Sequence, residues 1–238
     1  MRILVTGHEG FIGRNMLSWL SQEEGWQIDG YEWHPITRPD VSNYDWVIHL
    51  GAIADMTETD VDAIMKQNYE FSQWLFNQCN KYGTHLQYAS SSSVYGNTKD
   101  FSETAQCYPQ TPYAWSKYLF ERYHTKHQGG NIVQGFRYFN VYGPGEEHKD
   151  QPSPYTVFER QAKETGIIKL FKGSENYLRD FVPVETVVSV HKKFFDVEKS
   201  GIWNVGTGRA TSFESVARMI ADKYDAIVEY IPMPEHLA

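Results

Sequence analysis

The feature that most constrains this chain is a glycine triplet near its start. Gly7, Gly10 and Gly13 recur at every third position in Thr6-Gly7-His8-Glu9-Gly10-Phe11-Ile12-Gly13. A strand-like run, Arg2–Thr6, leads into them, and a helix-period segment over 10–22 leads out. At a strand-to-helix junction the first glycine permits a tight turn, the second lets backbone approach a pyrophosphate, and the third lets helix pack closely on strand. The phosphates would lie at the helix N-terminus, where unpaired N–H groups and the dipole favour anions. An ordinary glycine-rich turn has a similar composition, but the placement between strand and helix favours a dinucleotide site. Gly7, Gly10, Phe11, Ile12 and Gly13 are the candidate cofactor-binding residues of this loop.

The chain beyond the loop agrees with that start. Strand-like runs at Gln27–Tyr31, Trp46–His49, 85–89 and 132–138 alternate with helix-like segments at 57–82 and 112–127. This alternation is the pattern of a parallel α/β sheet, and the apolar run Trp46–His49 reads as a buried central strand. The stretch from Glu32 to Trp46 is short, so the usual extra helix and strand are expected to be missing or compressed. After about residue 143 the character changes. A Pro-rich loop is followed by a helix over 155–165, short strands at 168–171, 181–184 and 203–205, and a last helix over 212–224. The expected fold is a Rossmann-like doubly wound parallel sheet with a small C-terminal substrate-binding part. The expected domains are 1–143, binding NAD(P), and 144–238, smaller and facing substrate.

Composition excludes several alternatives. Against 30 Asp and Glu there are 22 Lys and Arg, a net charge of −8, so no basic footprint for nucleic acid is present. No apolar run reaches membrane-spanning length. Two cysteines, Cys79 and Cys107, make no disulfide framework, which suits a reducing compartment. The strand-like start lacks a long apolar signal segment. These readings predict a cytoplasmic protein with neither a nucleic-acid nor a membrane partner, and no metal site is expected.

Two further motifs carry chemistry. Tyr113 and Lys117 are spaced i, i+4 at the start of a predicted helix, so they share one face. An ammonium beside a phenol stabilises phenolate. Lys117, helped by a cationic nicotinamide, is therefore expected to lower the Tyr113 pKa and make it a usable acid/base. Lys117 can also reach the nicotinamide ribose. The run Ser90-Ser91-Ser92-Ser93 follows the fourth predicted strand, at the strand end where such sheets bind ligands. Glu32, at the end of the second strand, can accept from the adenosine ribose hydroxyls and favours NAD. Arg14, His34 and Arg38 lie near it in sequence and can meet a 2′-phosphate, favouring NADP.

With the glycine loop, the serine run and Tyr-x-x-x-Lys in this order, the chain resembles the extended short-chain dehydrogenase/reductase family. His49-Leu50-Gly51-Ala52, Asn68 and Gly135-Phe136-Arg137-Tyr138-Phe139-Asn140-Val141-Tyr142-Gly143-Pro144 extend the match. Three longer segments bring it nearest to those nucleotide-sugar epimerases that act at C6 of a heptose. They are 138–149, 170–182 and 201–213, with Glu229-Tyr230-Ile231-Pro232 in support.

The resemblance implies a nucleotide-sugar substrate, NADP as cofactor (NAD as the alternative), transient oxidation to a 6-ketone and return of the hydride to the other face. It implies catalytic roles for Ser91, Tyr113, Lys117 and Lys149, with Tyr113 and Lys149 as the two bases. A lysine base needs a lowered pKa, and Arg137 and Lys117 are the cations expected to help lower it. It adds Leu50, Gly51, Ala52, Asn68, Lys117 and Val141 to the loop glycines and Glu32 as cofactor-binding residues. It implies Asn140, Phe171, Lys172, Gly173, Ser174 and Arg179 as substrate-binding residues, and a homo-oligomer. A surface ion pair of Arg179 with Asp180 is the competing reading of that arginine.

Three departures accompany the match. Family chains run on for several tens of residues past the counterpart of Ala238, with a substrate-contacting tyrosine and pocket-covering helices, so a shortened substrate part is expected. Asp150-Gln151-Pro152 replaces a Gly-Ser pair. Glu159 stands at a substrate-contacting histidine of the family, where an acid facing a diphosphate would repel it. Ser92-Ser93 stands where dehydratases carry Asp-Glu, which disfavours dehydration. A 4-epimerase and a non-catalytic NAD(P)-binding protein remain as alternatives.

Overall fold

The computed structural model describes residues 1–55, 57–149 and 151–234; Met56, Asp150 and the last four residues lie outside them. The chain runs through β1 (Arg2–Thr6), α1 (Phe11–Leu20), β2 (Gln27–Tyr31), β3 (Trp46–His49), α2 (Val61–Ile64), a π-helical turn (Met65–Glu70), α3 (Phe71–Tyr82), β4 (His85–Ser91), α4 (Pro112–Lys126) and β5 (Val133–Tyr138). It continues through β6 (Asn140–Tyr142), α5 (Pro154–Thr165), β7 (Ile167–Phe171), β8 (Leu178–Pro183), α6 (Val184–Phe194), β9 (Gly201–Val205), β10 (Ala210–Ser212), α7 (Phe213–Tyr224) and β11 (Ile227–Ile231).

Two compact units result: Met1–Tyr138 with Glu185–Val205, and Phe139–Val184 with Gly206–Ala238. The expected single boundary at 143 is corrected by this division. The break falls after Tyr138, and 185–205 returns to the first unit because β9 pairs with β5.

The first unit holds a six-stranded parallel sheet in the order β2-β1-β3-β4-β5-β9. As expected, residues 32–45 carry neither helix nor strand. The strand order reverses at β1, and ligands of such sheets bind at the carboxyl ends of the strands beside that reversal. Alternate residues of each strand supply opposite cores. Leu4, Val47, Leu86 and Val133 pack with Phe71, Leu75, Phe76 and Phe120 of α3 and α4. Ile3, Val5, Trp46 and Ile48 pack with Met16 and Leu20 of α1 and with Val188. Each such fully buried side chain contributes about 1.5–3 kcal/mol, so both faces of the sheet are strongly held.

The second unit is built from a β10-β8-β6 sheet and a β11-β7 pair. Phe158 and Ala162 of α5, with Val216, Ala217, Ile220 and Ala221 of α7, close over Ile168 and Leu170.

Two local outcomes differ from the sequence pattern. The 57–82 helix starts at Val61 and is interrupted by the π turn. The run Val184-Glu185-Thr186-Val187-Val188-Ser189-Val190 is rich in β-branched residues, which favour strands, yet it forms α6. Val184, Val187, Val188 and His191 are all buried, the i, i+3, i+4, i+7 spacing of one helical face.

Candidate active site

The glycine loop is tight for reasons visible at each position. Gly7 has φ 73°, and a Cβ there would stand 2.4 Å from the backbone N and Cα of Gly51. A Cβ on Gly13 would stand 2.0 Å from the Gly7 carbonyl oxygen. The loops after β1 and β3 thus touch backbone to backbone, braced by Leu50 N–H donating to Thr6 O at 3.0 Å. Gly10 differs: it is exposed, caps α1 with no side-chain hydrogen bond, and its Cβ would meet only Gly7 O, at 3.3 Å. Backbone open to solvent at an uncapped helix start fits the pyrophosphate of a dinucleotide. Phe11, Ile12, Leu50, Gly51 and Ala52 are half-buried around this junction.

Glu32 turns toward the loop: its Oε1 accepts from Glu9 N–H at 2.7 Å and lies 3.2 Å from His8 Nδ1. Arg38 donates to the carbonyls of His34 and Thr37, at 2.8 and 3.0 Å, and lies over the rings of Phe71 and Trp74. Asn68 is buried in the π turn. Its side chain exchanges two hydrogen bonds with the Ile53 backbone, at 2.8 and 2.9 Å, and donates to Ser116 Oγ at 3.2 Å. It therefore ties the loop after β3 to α4. His49, at the end of β3, is held between Thr6 Oγ1 and Ser72 Oγ; burial, then the neighbouring Lys117, depress its pKa to about 3.

Helix α4 starts where its sequence dictates. Thr111 caps it by accepting from Ala114 N–H at 3.2 Å, and Pro112 occupies the first turn, where its missing N–H costs nothing. Tyr113 and Lys117 therefore sit in its first turns. Lys117 is 5% exposed, donates to Ala89 O at 3.0 Å, and has Nζ 5.8 Å from the Tyr113 ring centre. Burial pulls its pKa down to about 8, opposed by Glu121. Ser91 closes β4 near Tyr113, and its Oγ accepts from Ser93 N–H at 3.1 Å. The expected lowering of Tyr113 is corrected here. Burial raises its pKa, and the neighbouring Ser91 hydroxyl only partly opposes that. Desolvation of the phenolate outweighs the lysine beside it.

Sequence reasoning missed the group behind this pair. Glu121 is buried and takes a bidentate contact from Arg137, with Nε–Oε1 2.9 Å and Nη2–Oε2 2.7 Å. Arg137, expected to help depress a lysine, instead spends its charge on that carboxylate. The Lys117-x-x-x-Glu121 spacing was the available signal.

In the smaller unit, Asn140 and Val141 lie on β6, paired with Phe181 and Val182 of β8. Lys149 is exposed at the end of a 3₁₀ turn, its N–H donating to Glu146 O at 3.0 Å. Glu146 is fully buried and accepts from Ser153 N–H at 3.1 Å and from the hydroxyls of Ser153 and Thr156, which anchors the Lys149 loop to the start of α5. Phe171, Lys172, Gly173 and Ser174 form the turn after β7; Gly173 has φ 90° and Ser174 is buried. The Arg179 guanidinium donates to Leu178 O at 2.8 Å and lies over Phe213. Asp180, its rival partner, is taken by Thr207 N–H, Thr207 Oγ1 and Gly208 N–H. Glu159 meets Lys163, Lys223 and the Tyr224 hydroxyl, so its charge is compensated where it stands. Among the described residues no cluster of His, Cys, Asp or Glu fits a metal ion, and no helix is long and apolar enough to cross a membrane.

Residues 39–206 match the NAD dependent epimerase/dehydratase family, and the chain belongs to it, as its resemblance to the extended short-chain dehydrogenase/reductases implied. One relative is the ADP-L-glycero-D-manno-heptose-6-epimerase of Brachyspira hyodysenteriae (strain ATCC 49526 / WA1), 36% identical over 272 residues that span 99% of this chain and 85% of the relative. The crystal structure of Helicobacter pylori ADP-L-glycero-D-manno-heptose-6-epimerase superposes with TM-score 0.87 and 27% identity, covering 97% of this chain and 85% of that one. The UDP-glucose 4-epimerase of Thermotoga maritima, solved with UDP-glucose, superposes with TM-score 0.84 over 99% of this chain and 87% of that one; at 23% identity it speaks for the fold alone.

Proposed function

We propose that the protein is a nucleotide-sugar epimerase that inverts C6 of an ADP-linked glycero-manno-heptose with NADP as its cofactor. The observation that carries this reading is the trio at the end of β4: Ser91 near Tyr113, and Lys117 buried beside them on α4. The 36% identical relative supports the choice of sugar.

The Gly7–Gly13 loop and the first turn of α1 would hold the pyrophosphate, and Lys117 the nicotinamide ribose. When bound, the cofactor would supply a reversible hydride acceptor for the sugar carbon, with no net redox change. Ser91 donates to the reacting oxygen and steadies it as charge develops. Tyr113 holds or releases the hydroxyl proton, and Lys117 stabilises its phenolate. Lys149 serves as the base for the other sugar orientation. Asn140, Arg179 and the 171–174 turn belong to sugar-nucleotide recognition, with Arg179 suited to a diphosphate. Homo-oligomerisation in the cytoplasm belongs to the same reading.

Incubation of the protein with ADP-D-glycero-D-manno-heptose should yield the 6-epimer by NMR; no epimer from cofactor-loaded protein would sink the proposal. A second reading, NAD as cofactor, is favoured by the Glu32 carboxylate set on the glycine loop. Comparing NAD and NADP affinities in the wild type and Arg38→Ala separates the two. NADP binding that weakens only in the variant supports NADP.

A further inference from the structure

Tyr113, Lys117 and Glu121 follow one another at four-residue steps and lie along one face of α4. Three consecutive residues of β4 meet them. Ala89 O accepts from Lys117 Nζ at 3.0 Å, Ser90 Oγ donates to Glu121 Oε1 at 2.5 Å, and Ser91 lies near Tyr113. Glu121 is 1% exposed and Arg137 4%. The remaining guanidinium nitrogen, Nη1, donates to the Tyr95 hydroxyl at 2.9 Å, which donates to Asn204 Oδ1 on β9 at 2.7 Å. This satisfied network joins α4, β4, β5 and β9 within the first unit.

A buried ion pair is an expensive way to hold a helix, since well-packed apolar side chains do so at least as firmly. What the pair adds is direction, because a bidentate contact fixes angle as well as distance. We propose that Glu121 is a positioning residue for Tyr113 and Lys117: clamped by Arg137 and Ser90, it sets the register of α4 against the end of β4. The epimerase reading supplies what the pair does; the proposal concerns how it is held. A slip of one residue along α4 would break the Lys117 and Glu121 contacts with β4 together.

The carboxylate also acts through space. Lys117 loses part of its hold on a proton through burial, and Glu121 is the group that opposes this loss. The other groups about Lys117 are Tyr113 on its own helix, His49 on β3, neutral because its pKa is about 3, and Arg137 on β5, already bound to Glu121. Removing the Glu121 charge therefore moves the Lys117 titration downward.

The test uses the full chain labelled at lysine Cε, with the Lys117 resonance assigned by its loss in Lys117→Met, and follows it by NMR against pH. Glu121→Gln should lower the Lys117 midpoint by about one pH unit or more. Glu121→Asp should recover part of the shift, and Ser90→Ala should give a smaller shift of the same sign. If Glu121→Gln fails to fold, Glu121→Gln combined with Arg137→Met removes both buried charges and still predicts a lowered midpoint. A folded variant of either kind with an unchanged Lys117 midpoint overturns the proposal. No substrate enters this measurement, so its failure is distinct from a wild-type protein that makes no epimer.

Discussion

The two units place their candidate residues in opposite ways. In the sheet unit, Lys117 and Asn68 are buried on helices, with their polar atoms on named partners. In the smaller unit, Asn140, Lys149, Lys172 and Arg179 are exposed on turns and strand ends. What is buried there is the bracing: Glu146 behind Lys149, and Ser174 in the turn beside Lys172. The difference separates two tasks. On the proposed reading, Lys117 and the groups about it are held in place before anything binds, which removes the cost of ordering them during reaction. The groups proposed to meet a large polar ligand, and the second base Lys149 with them, stay on the surface over a fixed backbone.

The comparison can be broken at several points. The largest effect is expected from Tyr113→Phe, which should cut turnover by about 10²–10⁴-fold while the cofactor stays bound, as read by single-turnover assay and cofactor retention. Next is Gly7→Ala, whose new Cβ would drive into Gly51. It should destabilise the protein by about 3 kcal/mol, seen as a lower urea midpoint, together with weaker cofactor binding.

Acid should act on the buried histidines of the sheet unit. His49 and His191 are buried with pKa values of about 3, and His124 with about 4, all held down by burial from 6.5. Below 6.5 the unfolded chain takes up protons that the folded chain refuses. Stability should therefore fall as pH drops from 6.5 toward 3, by up to about 1.4 kcal/mol per pH unit for each histidine. Urea midpoints measured across that window check this, and a flat profile would contradict the neutral, buried state of these rings.

The smallest effect on stability sharpens the contrast most. Lys149→Met should abolish epimerisation yet shift stability by no more than about 0.5 kcal/mol. A large loss in thermal unfolding would place Lys149 with the buried class instead.

The sheet unit was the more legible of the two. Arg2–Thr6 and Trp46–His49 could be bounded from residue pattern alone, because buried parallel strands are short apolar runs bounded by turn signals. The glycine loop and Tyr113–Lys117 are local spacings, so they too could be read along the chain. Glu121–Arg137 could not, since its partners are sixteen residues apart and meet only when β5 is laid beside β4. The Tyr113 pKa was misjudged for a related reason: spacing shows the lysine, but desolvation is set by tertiary packing. Helix α6 escaped because its valines favour strands until a sheet face is available to bury them.

The π turn at Met65–Glu70 has a consequence for how this region tolerates change. A π turn holds one residue more than the α-helical ladder around it. Near Asn68 the chain therefore works as a counted spacer: each residue gained or lost ahead of it would swing this side chain by about 100° around the helix axis. Asn68 would then leave the Ile53 peptide and Ser116 together. Substitutions on the exposed face of this stretch can be absorbed, whereas a single-residue deletion cannot, even one that makes the helix more regular. In this segment the length of the chain matters more than most of its letters.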